Sequence, residues 1–167
     1  NKVKNYTEYI DDYDNGLQVS NSYHLTNIAF SPAVVGGATI NFLPMKNYEL
    51  SLISKYVSKE YLDNAQNEGR KLNPYYVQNL RMMYTLKFKE IKEVNLILQV
   101  NNILNEKYEP NGYTYSYIYG SQLITENFLF PMALSNFMFA VNIKFYSNLY
   151  GHIRKAWRHN YLVKSVI

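Results

Sequence analysis

The stretch LSNFMFAVNIKF, Leu134 to Phe145, decides how the rest of the chain is read. From Phe137 it alternates strictly: Phe137, Phe139, Val141, Ile143 and Phe145 fall on one side, and Asn136, Met138, Ala140, Asn142 and Lys144 on the other. A period of two is the strand period, because successive side chains leave a β-strand on opposite faces. A half-buried strand in a water-soluble protein seldom devotes so many consecutive alternate positions to large apolar groups. A strand in the wall of a transmembrane β-barrel does so routinely, with lipid on one face and a polar lumen on the other.

Working outward, the same period recurs. Val94 to Asn105 sets Val94, Leu96, Leu98 and Val100 against Asn95, Gln99 and Asn101. Tyr75 to Phe88 sets Leu80, Met82, Tyr84, Leu86 and Phe88 against Asn79, Arg81, Thr85 and Lys87. Tyr48 to Tyr61 sets Tyr48, Leu50, Leu52 and Tyr56 against Glu49, Ser51 and Lys55. Ala33 to Leu43 reads as a further strand whose Gly36-Gly37 pair suits a barrel bend. Lys2 to Ile10 reads as a short strand end. Between these lie tight turns at Pro44–Asn47 and Lys89–Glu93, and long polar loops at 11–31, 62–74 and 106–133. The connections thus alternate long and short, as in outer-membrane barrels with long extracellular loops and short periplasmic turns. Tyr9, Tyr61, Tyr75 and Tyr108 then mark outer strand ends, and Phe42, Tyr48, Phe88 and Phe145 inner ones.

Composition agrees with that reading. The chain has 167 residues, with 18 Tyr, 8 Phe and 1 Trp, and Tyr carries an apolar ring and a wet tip suited to membrane interfaces. No run approaches the length of a transmembrane helix, which says nothing against a barrel. The sequence opens at Asn1 without the basic and apolar regions of a signal peptide. There is no Cys, which excludes disulfides and thiolate metal sites within the chain. The net charge of +4 comes from Arg154, Lys155, Arg158 and Lys164 in the tail; residues 1–145 balance 13 Lys and Arg against 13 Asp and Glu. Nucleic-acid binding is therefore not expected.

Several landmarks resemble a known family. VNNILNEKY (Val100 to Tyr108) is similar to a strand end near the C-terminus of TonB-dependent outer-membrane receptors. FSPAVVGG (Phe30 to Gly37), SKYVSKEYLDN (Ser54 to Asn64) with Arg70 and Leu72, and the terminal FMFAVNIKF resemble further landmarks of that family in the same order. A last strand closing on an aromatic residue, Phe145, also resembles the terminal signal read by barrel-assembly machinery. The resemblance implies a barrel of about 22 strands with a plugged lumen. It implies import of a scarce ligand of the ferric siderophore, cobalamin or glycan class, driven by TonB acting on an N-terminal plug. TonB would engage through that missing N-terminal part.

The expectation is thus an all-β chain: an antiparallel up-and-down transmembrane β-barrel fragment, about six strands within residues 1–145, in the outer membrane of a Gram-negative bacterium. Leu80, Met82, Tyr84, Leu96, Leu98, Phe139, Val141 and Ile143 are expected to face lipid, and Arg81, Asn95, Gln99 and Asn142 the lumen. Residues 146–167 fall outside the alternation, and Ile153, Trp157 and Tyr161 share one helical face. This basic tail is expected to be a short helix or disordered, either a periplasmic appendage or a frameshift or read-through segment, the second being favoured. Alternative readings are a passive porin or adhesin barrel fragment, and a soluble carbohydrate-binding β-sandwich.

Catalytic chemistry is not expected, and neither is a cofactor or metal. His24 is a lone loop histidine, and Asp11, Asp12 and Asp14 beside Asn15-Gly16 miss the spacing of a calcium loop. One feature is sharper. Tyr113, Tyr115, Tyr117 and Tyr119 recur at period two in NGYTYSYIYG, and Gly120-Ser121 can turn the segment back onto Gln122 to Phe130. Such a tyrosine face suits stacking against a ligand or packing against neighbouring outer loops.

Overall fold

The structure, a computed structural model, describes residues 1–146; the expectation for the tail beyond Tyr146 lies outside them. The described chain is all-β. In chain order the strands are β1 (Lys2–Asp12), β2 (Leu17–Asn27), β3 (Val35–Met45), β4 (Tyr48–Val57), β5 (Glu60–Tyr61), β6 (Lys71–Leu72), β7 (Tyr75–Leu86), β8 (Glu93–Asn101), β9 (Asn111–Tyr119), β10 (Gln122–Phe130) and β11 (Asn136–Lys144).

Five of them form an antiparallel sheet in the order β11-β8-β7-β4-β3, hereafter the wall. Its register brings the alternating positions into cross-strand rows. Phe42, Leu50, Met82, Leu98 and Phe139 make one row. Ile40, Leu52, Leu80, Val100 and Phe137 make the next, and Met45, Tyr48, Tyr84, Leu96 and Val141 a third. The other face carries Asn41, Ser51, Arg81, Gln99 and Met138 in one row and Thr85, Asn95 and Asn142 in another. A slip of one residue in any strand would mix the two faces, so the turns matter. Lys46-Asn47 closes β3 onto β4 with Asn47 at φ +68°, a left-handed conformation that Asn tolerates. Pro44 has no N–H to give the ladder, and the register shifts there, between Phe42 and Met45.

The wall is inside-out by the standard of a soluble sheet. The edge strand β11 is exposed on both faces; on the central strand β8, Leu98 is 37% exposed, whereas Asn95 and Ile97 on the opposite face are 7% and 9% exposed. Asn95 is held there by hydrogen bonds, accepting from the Thr85 hydroxyl at 2.7 Å and donating to Glu93 at 2.7 Å. The Lys144 ammonium donates to Glu93 at 2.8 Å on the same face.

One expectation is corrected: the wall has five strands, not six. Lys2 to Asp12 pairs instead with Leu17 to Asn27, a segment read from sequence as loop, and both belong to a second sheet ordered β10-β9-β1-β2. The reason is physical. Residues 17–27 (LQVSNSYHLTN) carry Leu17, Val19, Tyr23 and Leu25 at alternate positions, but Asn21 and Asn27 interrupt that face and the segment is otherwise polar, so its period is too weak to stand out from loop. Two of the tyrosines assigned to a membrane belt are also corrected. Tyr61 and Tyr75 are buried, and Tyr108 stacks on Tyr75 with ring centroids 4.4 Å apart. The exposed pair on the apolar face is Tyr56 and Tyr76, register partners at the same end of the wall.

Candidate functional site

At the end of the wall opposite the Pro44–Asn47 turn, three excursions pack into one body: the β1–β2 hairpin, residues 58–74, and the β9–β10 hairpin. Residues 58–74 fold on themselves through β5–β6 pairing and through Glu68, which accepts from Lys59, from Lys71 at 2.7 Å and from the Tyr61 hydroxyl at 2.6 Å. Those donors, the lysines first, hold the Glu68 carboxyl at about 2, well below the usual range. Arg70, 3% exposed, reaches out of this segment to clamp Glu8 of β1 and Asp63, the latter at 2.8 Å. Glu8 also accepts from the Tyr23 hydroxyl of β2 at 3.0 Å, and burial together with that bond pushes the Tyr23 phenol up. Ile10, Leu62, Ala65 and Leu72 are buried in the same body.

The two hairpins meet across sequence separations of about a hundred residues. β1 pairs with β9 in parallel through Asp11 with Tyr117 and Asp12 with Ile118. The Tyr13 amide donates to the Ile118 carbonyl at 3.0 Å. Asp14 then accepts the backbone amides of Gly120 and Ser121 at 2.9 and 2.7 Å. These amides sit on a two-residue turn with both central φ angles at +60°, a type I′ geometry in which Ser121 takes the left-handed position usually given to Gly. The hairpin expected from Gly120-Ser121 is therefore present, with Tyr119 opposite Gln122 and Phe130 opposite Asn111. Gly112 is required by close approach: a Cβ there would lie 2.7 Å from the Phe128 carbonyl oxygen.

The four tyrosines share one face of β9 and gather partners that sequence periodicity did not identify. Tyr113 stacks on Phe128, opposite it on β10, at 4.8 Å. The Tyr115 hydroxyl lies 2.6 Å from that of Tyr13 and donates to Asp11 at 3.1 Å. The Tyr117 hydroxyl donates to Glu126 at 3.1 Å, and its ring is 5.6 Å from that of Tyr13. Tyr119 is exposed at the tip. The Tyr13 hydroxyl chiefly, together with the Asp11 carboxylate, pushes the Tyr115 phenol up, and the Glu126 carboxylate does the same to Tyr117. Both phenols therefore stay protonated, which suits hydrogen bonding and stacking. Asp11, Asp12 and Asp14 do not converge. Asp11 accepts from Gln18 and Tyr115, Asp12 from Asn15 and the Asp14 amide, and Asp14 from the β9–β10 turn. His24 has no hydrogen-bond partner among the described side chains, and no trio of metal-ligating side chains gathers among the described residues.

Orientation follows from two contacts. Tyr108 covers Tyr75 and Val77, which lie in register with Lys55 and Val57 on the polar side of the wall, so β9 leaves the wall leaning over that side. The face of β10 carrying Asn127 donates to the Gly69 carbonyl at 2.7 Å, so the opposite, tyrosine-bearing face is turned away from residues 58–74. No family model, curated protein or solved structure matches this chain.

Proposed function

We propose that the chain forms part of the wall and outer loops of a TonB-dependent outer-membrane transporter in a Gram-negative bacterium. It would contribute five strands to a larger transmembrane barrel, with the three-excursion body on the cell surface contacting a scarce ligand of the ferric siderophore, cobalamin or glycan class. The observation that supports the membrane part is the wall's two faces: three uninterrupted apolar rows on one, and on the other a mixture of Ser51, Arg81, Asn95 and Gln99 with Met83 and Ile97. In water such a face would be far larger than the apolar patches that monomeric proteins tolerate. In lipid it is the low-energy arrangement. The transporter part is supported by the order of the landmarks around Phe30, Ser54, Val100 and Phe137.

Partners follow from the same reading: lipid against the apolar rows, the rest of the barrel against the open edges of β3 and β11, a plug inside it, and TonB through the plug. The open edges make this necessary, because unpaired backbone groups in hydrocarbon cost several kcal/mol each. The chain has no Cys, which makes a direct test simple. In intact cells, Ser121→Cys in the full-length receptor is expected to react with a membrane-impermeant maleimide, and Lys46→Cys to react only after the outer membrane is breached. Equal labelling of both would defeat the membrane reading. An upstream reading frame without a plug domain and a TonB-contacting segment would leave a barrel but not this class of transporter.

A further inference from the structure

The outer sheet has two edges, and they differ. Neither carries Lys or Pro: β2 exposes Leu17, Val19 and Leu25 among polar side chains, whereas β10, QLITENFLF, exposes Leu123, Phe128, Leu129 and Phe130 and lies beside the tyrosine-bearing β9. Natural sheets protect exposed edges with short strands, Lys, Pro or bulges, since a free row of N–H and C=O groups templates another strand. β10 has nine residues in unbroken register with β9 and no partner on its other side among the described residues. Beside this edge the sheet is acidic as well as aromatic. Glu126 and Asp11 point to the tyrosine face, which carries no Lys or Arg along β9, β10 or the Tyr9–Tyr13 end of β1. One Glu126 oxygen accepts from Tyr117; the other has no hydrogen bond within the described residues.

We propose that the β10 edge takes an extended basic peptide as an added strand, with a Lys or Arg of that peptide opposite Glu126 and its alternate side chains laid along the aromatic face. Three features fit this occupant together. The unpaired backbone supplies the main-chain hydrogen bonds of strand addition. Side chains on one face of an extended peptide recur every ~7 Å, the same period as Ile124, Glu126 and Phe128, which share the tyrosine face on the neighbouring β10. The uncompensated carboxylates favour a cation, which also gains from the ring faces. A ferric chelate of net negative charge would meet its own sign on this face and be disfavoured. The proposal rests on the reading of this body as the cell-surface part of a barrel, and it narrows the ligand class.

The experiment uses the full-length receptor purified in detergent, its barrel verified by heat-modifiable migration. Fluorescence anisotropy is read with two labelled ten-residue peptides, one alternating Lys and Thr, the other Glu and Thr. The basic peptide is expected to bind and the acidic one not. Glu126→Lys is expected to weaken binding by on the order of tenfold or more, since it sets like charges opposite each other. Glu126→Gln should give an intermediate loss. A basic peptide with Pro at alternate positions, unable to complete the ladder, should lose binding at unchanged charge. Equal binding of the Pro-containing peptide would overturn strand addition, and equal binding of the acidic peptide would overturn the charge argument. A heat-modifiable receptor that binds neither peptide would show that the edge is occupied by its own chain and overturn the proposal. Absence of a heat-modifiable barrel would instead count against the membrane reading.

Discussion

The wall and the outer body are built from one chain but obey opposite burial rules. In the outer body the enclosed positions are Ile10, Leu62 and Leu72, with one buried cation, Arg70, matched by two carboxylates. In the wall the enclosed face mixes Ser51, Asn95 and the Arg81 row with Ile97 and, at one end, Val57 and Val77, while three apolar rows line the other face. On the proposed membrane reading the two regions meet different solvents. The outer body is organised as water requires. The wall's apolar face would then meet a low-dielectric surround.

The strongest way to break that comparison is at Arg70. Arg70→Ala leaves Glu8 and Asp63 buried without their cation, and loss of one partner of a buried pair costs roughly 3–5 kcal/mol. The expected outcome is loosening of the whole outer body, read as faster hydrogen exchange across β1, β2 and residues 58–74, with the wall still heat-modifiable. If the wall collapsed too, the two regions would be one cooperative unit and the contrast would lose its meaning.

The next test compares neighbouring positions on β8. Leu98→Arg puts a charge on the apolar face and should cost about 2–4 kcal/mol near the membrane midplane, whereas Gln99→Arg, on the polar face, should cost much less. Refolding into lipid vesicles, followed by heat-modifiable migration, reads both. Equal damage from the two substitutions would contradict two-faced solvation.

A smaller effect is expected at the latch between hairpins. Asp14→Ala removes two hydrogen bonds to the Gly120–Ser121 turn, about 1 kcal/mol at an exposed site. The β9–β10 tip should become a preferred cleavage site in limited proteolysis while residues 58–74 stay protected. Uniform sensitivity along the outer body would mean that the hairpins are not joined there.

The smallest effect concerns acid. The folded Glu68 carboxyl sits at about 2, below its ordinary value, so its contribution is fully present above the ordinary carboxylate range. That contribution declines as pH falls below that range and is lost as pH passes through about 2. Proteolysis or hydrogen exchange of residues 58–74 should therefore rise between pH 5 and 2, and Glu68→Gln should flatten that dependence. A flat profile in the parent protein would show that the lysines contribute little there.

What the sequence determined by itself is the wall. β7, β8 and β11 carry runs of large apolar side chains at alternate positions, and that period can be read within each strand without knowledge of its neighbours. The β9–β10 hairpin was legible for a similar reason: Gly120-Ser121 fixes a short loop, and a short loop fixes register, placing Glu126 opposite Tyr115. The tertiary structure alone decided the rest. β2 has only Leu17, Val19, Tyr23 and Leu25 on one face, interrupted by Asn21, a period too weak to separate it from loop. Tyr13 and Asp11 join the tyrosine face from about a hundred residues away. Arg70 meets Glu8 across 62 positions. These contacts depend on how three excursions fold against one another, and no periodicity within any one of them encodes a partner in the next.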